Sequence, residues 1–203
     1  TGTERTVPSL LQLGDRVYGR RDPRQVPILC FAASWHGDIG DFITARAIYR
    51  HAVDIVDRKL GPNDLAAVEP LRALAGTYTQ ELYFSTIGVK TQARERQPTD
   101  ADGTSNEQKQ MNPRYLGTEG ERALERAVKI LEAQPPTAHD TLVATLIQTG
   151  DWHQIKDLPE KALPYYRRAA ALNATLVAAK MTEPAAGATA APAEPEPLSF
   201  PVR

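Results

Sequence analysis

The sequence predicts an all-α fold built from helical hairpins, on three observations. Apolar residues recur three and four apart over most of the chain, the spacing that places side chains on one face of an α-helix. Glycines and prolines interrupt that spacing where helices should stop, and strand-like alternation is scarce. The same set of intervals also occurs more than once, as if one unit had been copied.

The first helical pattern covers about Ser9 to Gly19, before RRDPRQ and its Pro23. A second helix is expected from Arg24 or Pro27 to Trp35, ended around Gly37 and Gly40. In DFITARAIYRHAVDIVDRKLG the residues Phe42, Ala45, Ile48, Tyr49, Ala52, Val53, Val56 and Leu60 form one stripe, closed by Gly61 and Pro62. The fourth helix falls within DLAAVEPLRALAGTYTQELYF, and Pro70 requires that regular structure begin close to it. From about Thr86 to Gly117 the chain is polar and aperiodic, which predicts a long inserted loop. Leu124, Ala127, Val128 and Leu131 mark a fifth helix, stopped by Pro135 and Pro136. A sixth runs from about Ala138 to Trp152. The seventh starts near Asp157, read as a cap with Glu160 three residues on and Pro159 in the first turn, and passes Asn173 toward Ala179. After Glu183 the composition shifts to Ala, Pro, Glu, Gly and Thr, too poor in apolar surface to offset its ordering entropy. The domain reading is therefore a helical region over 1–182 and a disordered, flexible linker over 183–203. LSFPVR at its end is read as the start of a following domain.

Composition excludes several classes. Lys and Arg number 24 against 25 Asp and Glu, a formal charge of -1, so the chain as a whole has no general attraction for nucleic acid or an anionic membrane. KTQARER, Lys90 to Arg96, is short and interrupted and reads as a solvated face; no nucleic-acid partner is expected. The single cysteine, Cys30, excludes an intramolecular disulfide and sits in the apolar run VPILCFAA as a packed residue. No apolar stretch is long enough to span a bilayer, so no direct membrane insertion is expected. The chain begins at Thr1, and the lack of a leader therefore says nothing of compartment.

Catalytic and metal chemistry find little purchase. His36, Asp38 and Asp41 in WHGDIGD form the densest candidate cluster, but they read as a helix-end histidine with capping acids. His51 should be exposed, His139 with Asp140 should precede a helix and belong to its cap, and His153 should fill the slot of a packing aromatic. Glu121 and Glu125, interleaved with Arg122 and Arg126, read as surface ion pairs along one helix. TDADGTSNE has its glycine too early for a calcium loop. No cofactor is expected, and the chain reads as a non-enzyme.

The internal repeat carries the functional expectation. Ala33, Ala45, Tyr49 and Ala52 share their spacings with Gly150, Ala162, Tyr166 and Ala169. A middle copy supplies Leu71, Leu74, Ala75 and Tyr78, then Gly120, Leu124 and Ala127 beyond the inserted loop. This pattern over about Pro27 to Asn173 resembles the tetratricopeptide repeat (TPR) family. Its unit, 42 residues from Ala33 to Ala75, is similar to the longer repeats of the kinesin light chain type. It departs from the family where Ala32 and Thr149 stand for the expected leucine and His36 and His153 for the expected aromatic.

The resemblance implies a right-handed solenoid of helical hairpins whose concave surface binds a protein or peptide partner. It places Ser34, Arg72, Gly76, Thr79, Gln80, Asp151 and Gln154 on that surface. The family's lysine and asparagine clamp for a terminal carboxylate is missing, and Arg72 mixed with Asp151 gives no single ligand charge. Helical repeats followed by an Ala/Pro/Glu tether and a strand-like start also look like bacterial envelope proteins with a TonB-like C-terminal domain. That likeness favours the periplasm over the cytoplasm. The alternative is an enzyme, or the regulatory domain of one, with the 86–117 loop as a lid. The organisation itself predicts that limited proteolysis cuts within Thr86 to Gly117 and after Glu183 while sparing Phe42 to Leu60.

Overall fold

A computed structural model describes residues 3–86 and 118–182. Among the described residues there are seven α-helices and no strand. They are α1 (Thr3–Tyr18), α2 (Val26–Asp38), α3 (Phe42–Lys59), α4 (Val68–Thr86), α5 (Thr118–Glu132), α6 (His139–Ile155) and α7 (Pro159–Thr182). The expected inserted loop, apart from Thr86 at the end of α4, and the expected linker with its strand-like end lie outside the described residues.

Local chemistry sets the boundaries. Gly19, with φ of +85°, ends α1 in the left-handed region where a side chain would be strained. Asp22 then accepts a hydrogen bond from the Arg24 amide at 2.9 Å and opens the short 3-10 turn that leads into α2. Gln25, almost completely buried, donates its amide to the Gly19 carbonyl and so closes that corner. Asp41 caps α3 by accepting from the Thr44 amide at 3.3 Å, and Gly61, with φ of +109°, stops it. Pro70 sits in the first turn of α4, where its missing N–H costs no helical bond.

Each helix packs on its successor: α1 on α2, α2 on α3, and so on to α6 on α7. In addition α2 meets α4 and α4 meets α6. Three-residue links join α2 to α3 and α6 to α7, so these pairs turn back on themselves as hairpins. The first helices of the pairs α2/α3, α4/α5 and α6/α7 thus adjoin in sequence order. One core runs through all three pairs, from Val26 and Leu29 through Ala52, Val56, Leu71 and Leu131 to Leu146 and Ala169.

Several boundary and packing expectations are corrected. Leu60 is 48% exposed, because α3 ends one residue earlier and the stripe turns inward at Ile55 instead. Asp157 does not cap α7. It adopts φ of +59° upstream of the helix, and the Leu158 carbonyl accepts the first helical bonds, from the Lys161 and Ala162 amides. Glu121 and Arg126 do not pair along their own helix: Glu121 takes Lys156, the residue just past α6, at 2.9 Å, and Arg126 takes Asp57 of α3. Short side-chain intervals predicted local pairs, but neighbouring helices offer partners held more firmly. Cys30 is buried as expected, and burial pushes its thiol up to about 12.

Candidate interaction surface

The contact between first helices is made by small residues and amides. Gly37 of α2 lies so close to α4 that a Cβ there would stand 3.1 Å from Gln80 Oε1. Between α4 and α6, Arg72 Nε donates to Gln148 Oε1 at 3.1 Å, while Gln148 Nε2 donates to the Arg72 carbonyl at 2.9 Å. This reciprocal pair holds the two helices in register. It leaves Arg72 half-buried, and desolvation lowers the pKa of its guanidinium.

The opposite side of these helices faces solvent. Ser34 on α2 and Asp151 and Gln154 on α6 are exposed. Arg72, Gly76, Thr79 and Gln80 are half-buried, because the neighbouring first helices take up part of their surface. Along α4, Glu69, Gly76 and Tyr83 follow at seven-residue intervals, two turns apart. A Cβ on Gly76 would meet only Gln148 Nε2, at 3.8 Å, so the middle of α4 is open.

Sequence reasoning missed the apolar members of this face. Phe31 on α2 is 58% exposed, Tyr83 on α4 62% and Ile147 on α6 43%, one large side chain from each first helix. The signal was present: each lies off the buried stripe of its own helix.

Beneath the face the hairpins interlock. A Cβ on Gly120 of α5 would fall 2.2 Å from Trp152 Cη2, so only glycine lets α6 approach. A Cβ on Gly150 would fall 2.6 Å from Tyr166 Cε1. Tyr49 is buried, whereas its counterpart Tyr166 is part-exposed and donates to Asp151 Oδ1 at 2.7 Å. At the start of α5, Glu119 accepts from Arg50 and from the Tyr78 hydroxyl, and Arg46 stacks 4.6 Å over the Tyr78 ring. The Arg50 hydrogen bond, foremost, holds the Glu119 carboxyl down to about 2. That network ties α3, α4 and α5 together where the chain leaves α4 and returns.

The histidines fall into structural places. His36 Nδ1 lies 3.2 Å from Asp41 Oδ2, the carboxylate that also caps α3, while Asp38 is exposed. His51 is exposed, and His139 opens α6 after Ala138, which makes no side-chain cap. His153 is buried and stacked on Tyr165 with ring centroids 5.5 Å apart. No group of three or more His, Cys, Asp or Glu among the described residues gathers as metal ligands. An open depression at the α1–α2 corner is lined by Tyr18, Arg20, Arg21, Asp22 and Lys59. Among the described residues no helix is long and apolar enough to cross a membrane.

No family model matches the chain, and no curated protein does. Among the solved structures that match is the crystal structure of BtubC (BKLC) from P. vanneervenii, at 17% identity and a TM-score of 0.30. The alignment covers 90% of this chain and 72% of that one, and a score so low defines no common fold.

Proposed function

We propose that the chain is a non-enzymatic protein-interaction scaffold that binds a peptide or protein segment on the outward face of α2, α4 and α6. One observation carries this reading. Three adjoining first helices each leave a large apolar side chain in solvent, Phe31, Tyr83 and Ile147, beside an open strip at Gly76. Apolar side chains grouped on one face mark interaction sites more often than singly scattered ones.

The finer reading is a TPR-type right-handed solenoid with this face as its concave side. It is supported by the matched spacings at Ala33/Ala45/Tyr49/Ala52 and Gly150/Ala162/Tyr166/Ala169, and by the adjacency of first helices. The sequence likeness to TonB-like envelope proteins adds the periplasm as the compartment, which fractionation of cells making the full protein tests.

The binding reading is tested by selecting a random peptide library against the immobilised chain. Enriched peptides should lose binding to Phe31→Lys and Ile147→Lys variants, whose helical circular dichroism is intact, and keep binding to Lys129→Glu on α5. Enriched peptides indifferent to the first-helix substitutions, or no enrichment at all, would overturn it.

A further inference from the structure

The near-zero net charge of the chain conceals a division between the two helices of each hairpin. The first helices α2, α4 and α6 contain Asp38, Glu69, Glu81, Asp140 and Asp151 against one Lys or Arg, Arg72, and three histidines. The second helices α3, α5 and α7 contain eleven Lys and Arg against seven Asp and Glu. The surplus of base is therefore carried by the second helices.

Tertiary contacts sharpen the division. Arg72, the one Lys or Arg among the first helices, is half-buried and occupied by Gln148. Glu81 is neutralised by Arg46 of α3 at 2.6 Å. Asp38, Glu69 and Asp151 remain exposed, one on each first helix, at helical spacings of seven, fourteen and four residues from Phe31, Tyr83 and Ile147 of the same helices. Among the described residues, no ion pair joins Asp38, Glu69 or Asp151 to a base. Asp151 is held by the Tyr166 hydroxyl, which leaves its charge intact.

Resting on the binding reading above, we infer that the occupant of this face is a basic peptide segment, with Lys or Arg alternating with apolar or aromatic side chains. The apolar residues cover Phe31, Tyr83 and Ile147, and the bases meet Asp38, Glu69 and Asp151. Complementary potential of this kind selects partners and speeds encounter, and an acidic segment would face like charge along the whole row.

The test uses two fluorescein-labelled peptides of about twelve residues, long enough to cross three helices at about 3.3 Å per residue. Both alternate Leu and Tyr with a charged residue, Lys in one and Glu in the other. Fluorescence anisotropy with the whole chain should show the Lys peptide binding about ten-fold or more tightly than the Glu peptide, and weakening from about 50 to about 300 mM salt. An Asp38→Lys/Glu69→Lys double variant, folded by circular dichroism, should reverse the preference, while Glu160→Lys on α7 should leave it unchanged. Equal or tighter binding of the Glu peptide, or a Lys peptide indifferent to the double variant, overturns the inference. Library peptides that depend on Phe31 and Ile147 but are enriched in acids would overturn the charge preference and leave the binding reading standing. Peptides with no such dependence overturn both.

Discussion

Single residues decide how closely these helices approach. Gly120 has the Trp152 ring against it and Gly76 has open space, although both lie within helices. Gly120→Ala should therefore destabilise by about 1–3 kcal/mol through overpacking. Gly76→Ala should stabilise by about 0.5–1 kcal/mol through the backbone term alone. Urea denaturation of the two variants checks the opposite signs. His153 supplies a second residue-scale outcome. Burial lowers its pKa below the ordinary 6.5, with Glu121 and Glu125 of α5, Lys156 at the end of α6 and Lys161 and Tyr165 of α7 as its charged and titratable neighbours. A depressed basic group binds its proton more readily when unfolded, so its stabilising effect is complete above about pH 6.5 and is lost as pH falls below it. The melting temperature should drop between about pH 7.5 and about pH 5.5, and His153→Phe should flatten that drop.

At the scale of elements, ion pairs between helices replace the pairs within helices that sequence spacing suggests. Glu119 in the first turn of α5 joins Arg50 of α3 and Tyr78 of α4, and its charge also suits a helix N-terminus. Its carboxyl, held down to about 2, contributes stability above the ordinary value of 4.5 that is lost as pH falls from there through about 2. Both partners are substantially exposed, so solvent screening keeps the contribution below about 1 kcal/mol. Glu119→Gln should remove this part of the acid sensitivity with only a small loss at neutral pH, measured by chemical denaturation across the acid range.

For the whole molecule, one continuous core through α2 to α7 implies that the hairpins melt together. Leu131 is fully buried within that core. Leu131→Ala should cost about 2–5 kcal/mol and move the far-ultraviolet dichroism and tryptophan fluorescence midpoints by the same amount. Midpoints that separate would mean that the pairs unfold independently.

Order along the chain was legible because its causes are local. Helical spacing, Asp41 as a cap, and the stops at Gly19 and Gly61 depend on residues within a turn or two of each other, so the sequence alone determined an all-α chain and most helix limits. It also marked Tyr49 and Ala52 as buried, since repetition preserves a packing face. Which polar residues stay free was settled only by tertiary structure. Arg72 and Gln148 are 76 residues apart, and nothing near either one announces that they will occupy each other. Nor does local sequence reveal that Glu121 will choose Lys156, or that Phe31, Tyr83 and Ile147 will stay in solvent, because burial and charge pairing depend on which helices become neighbours.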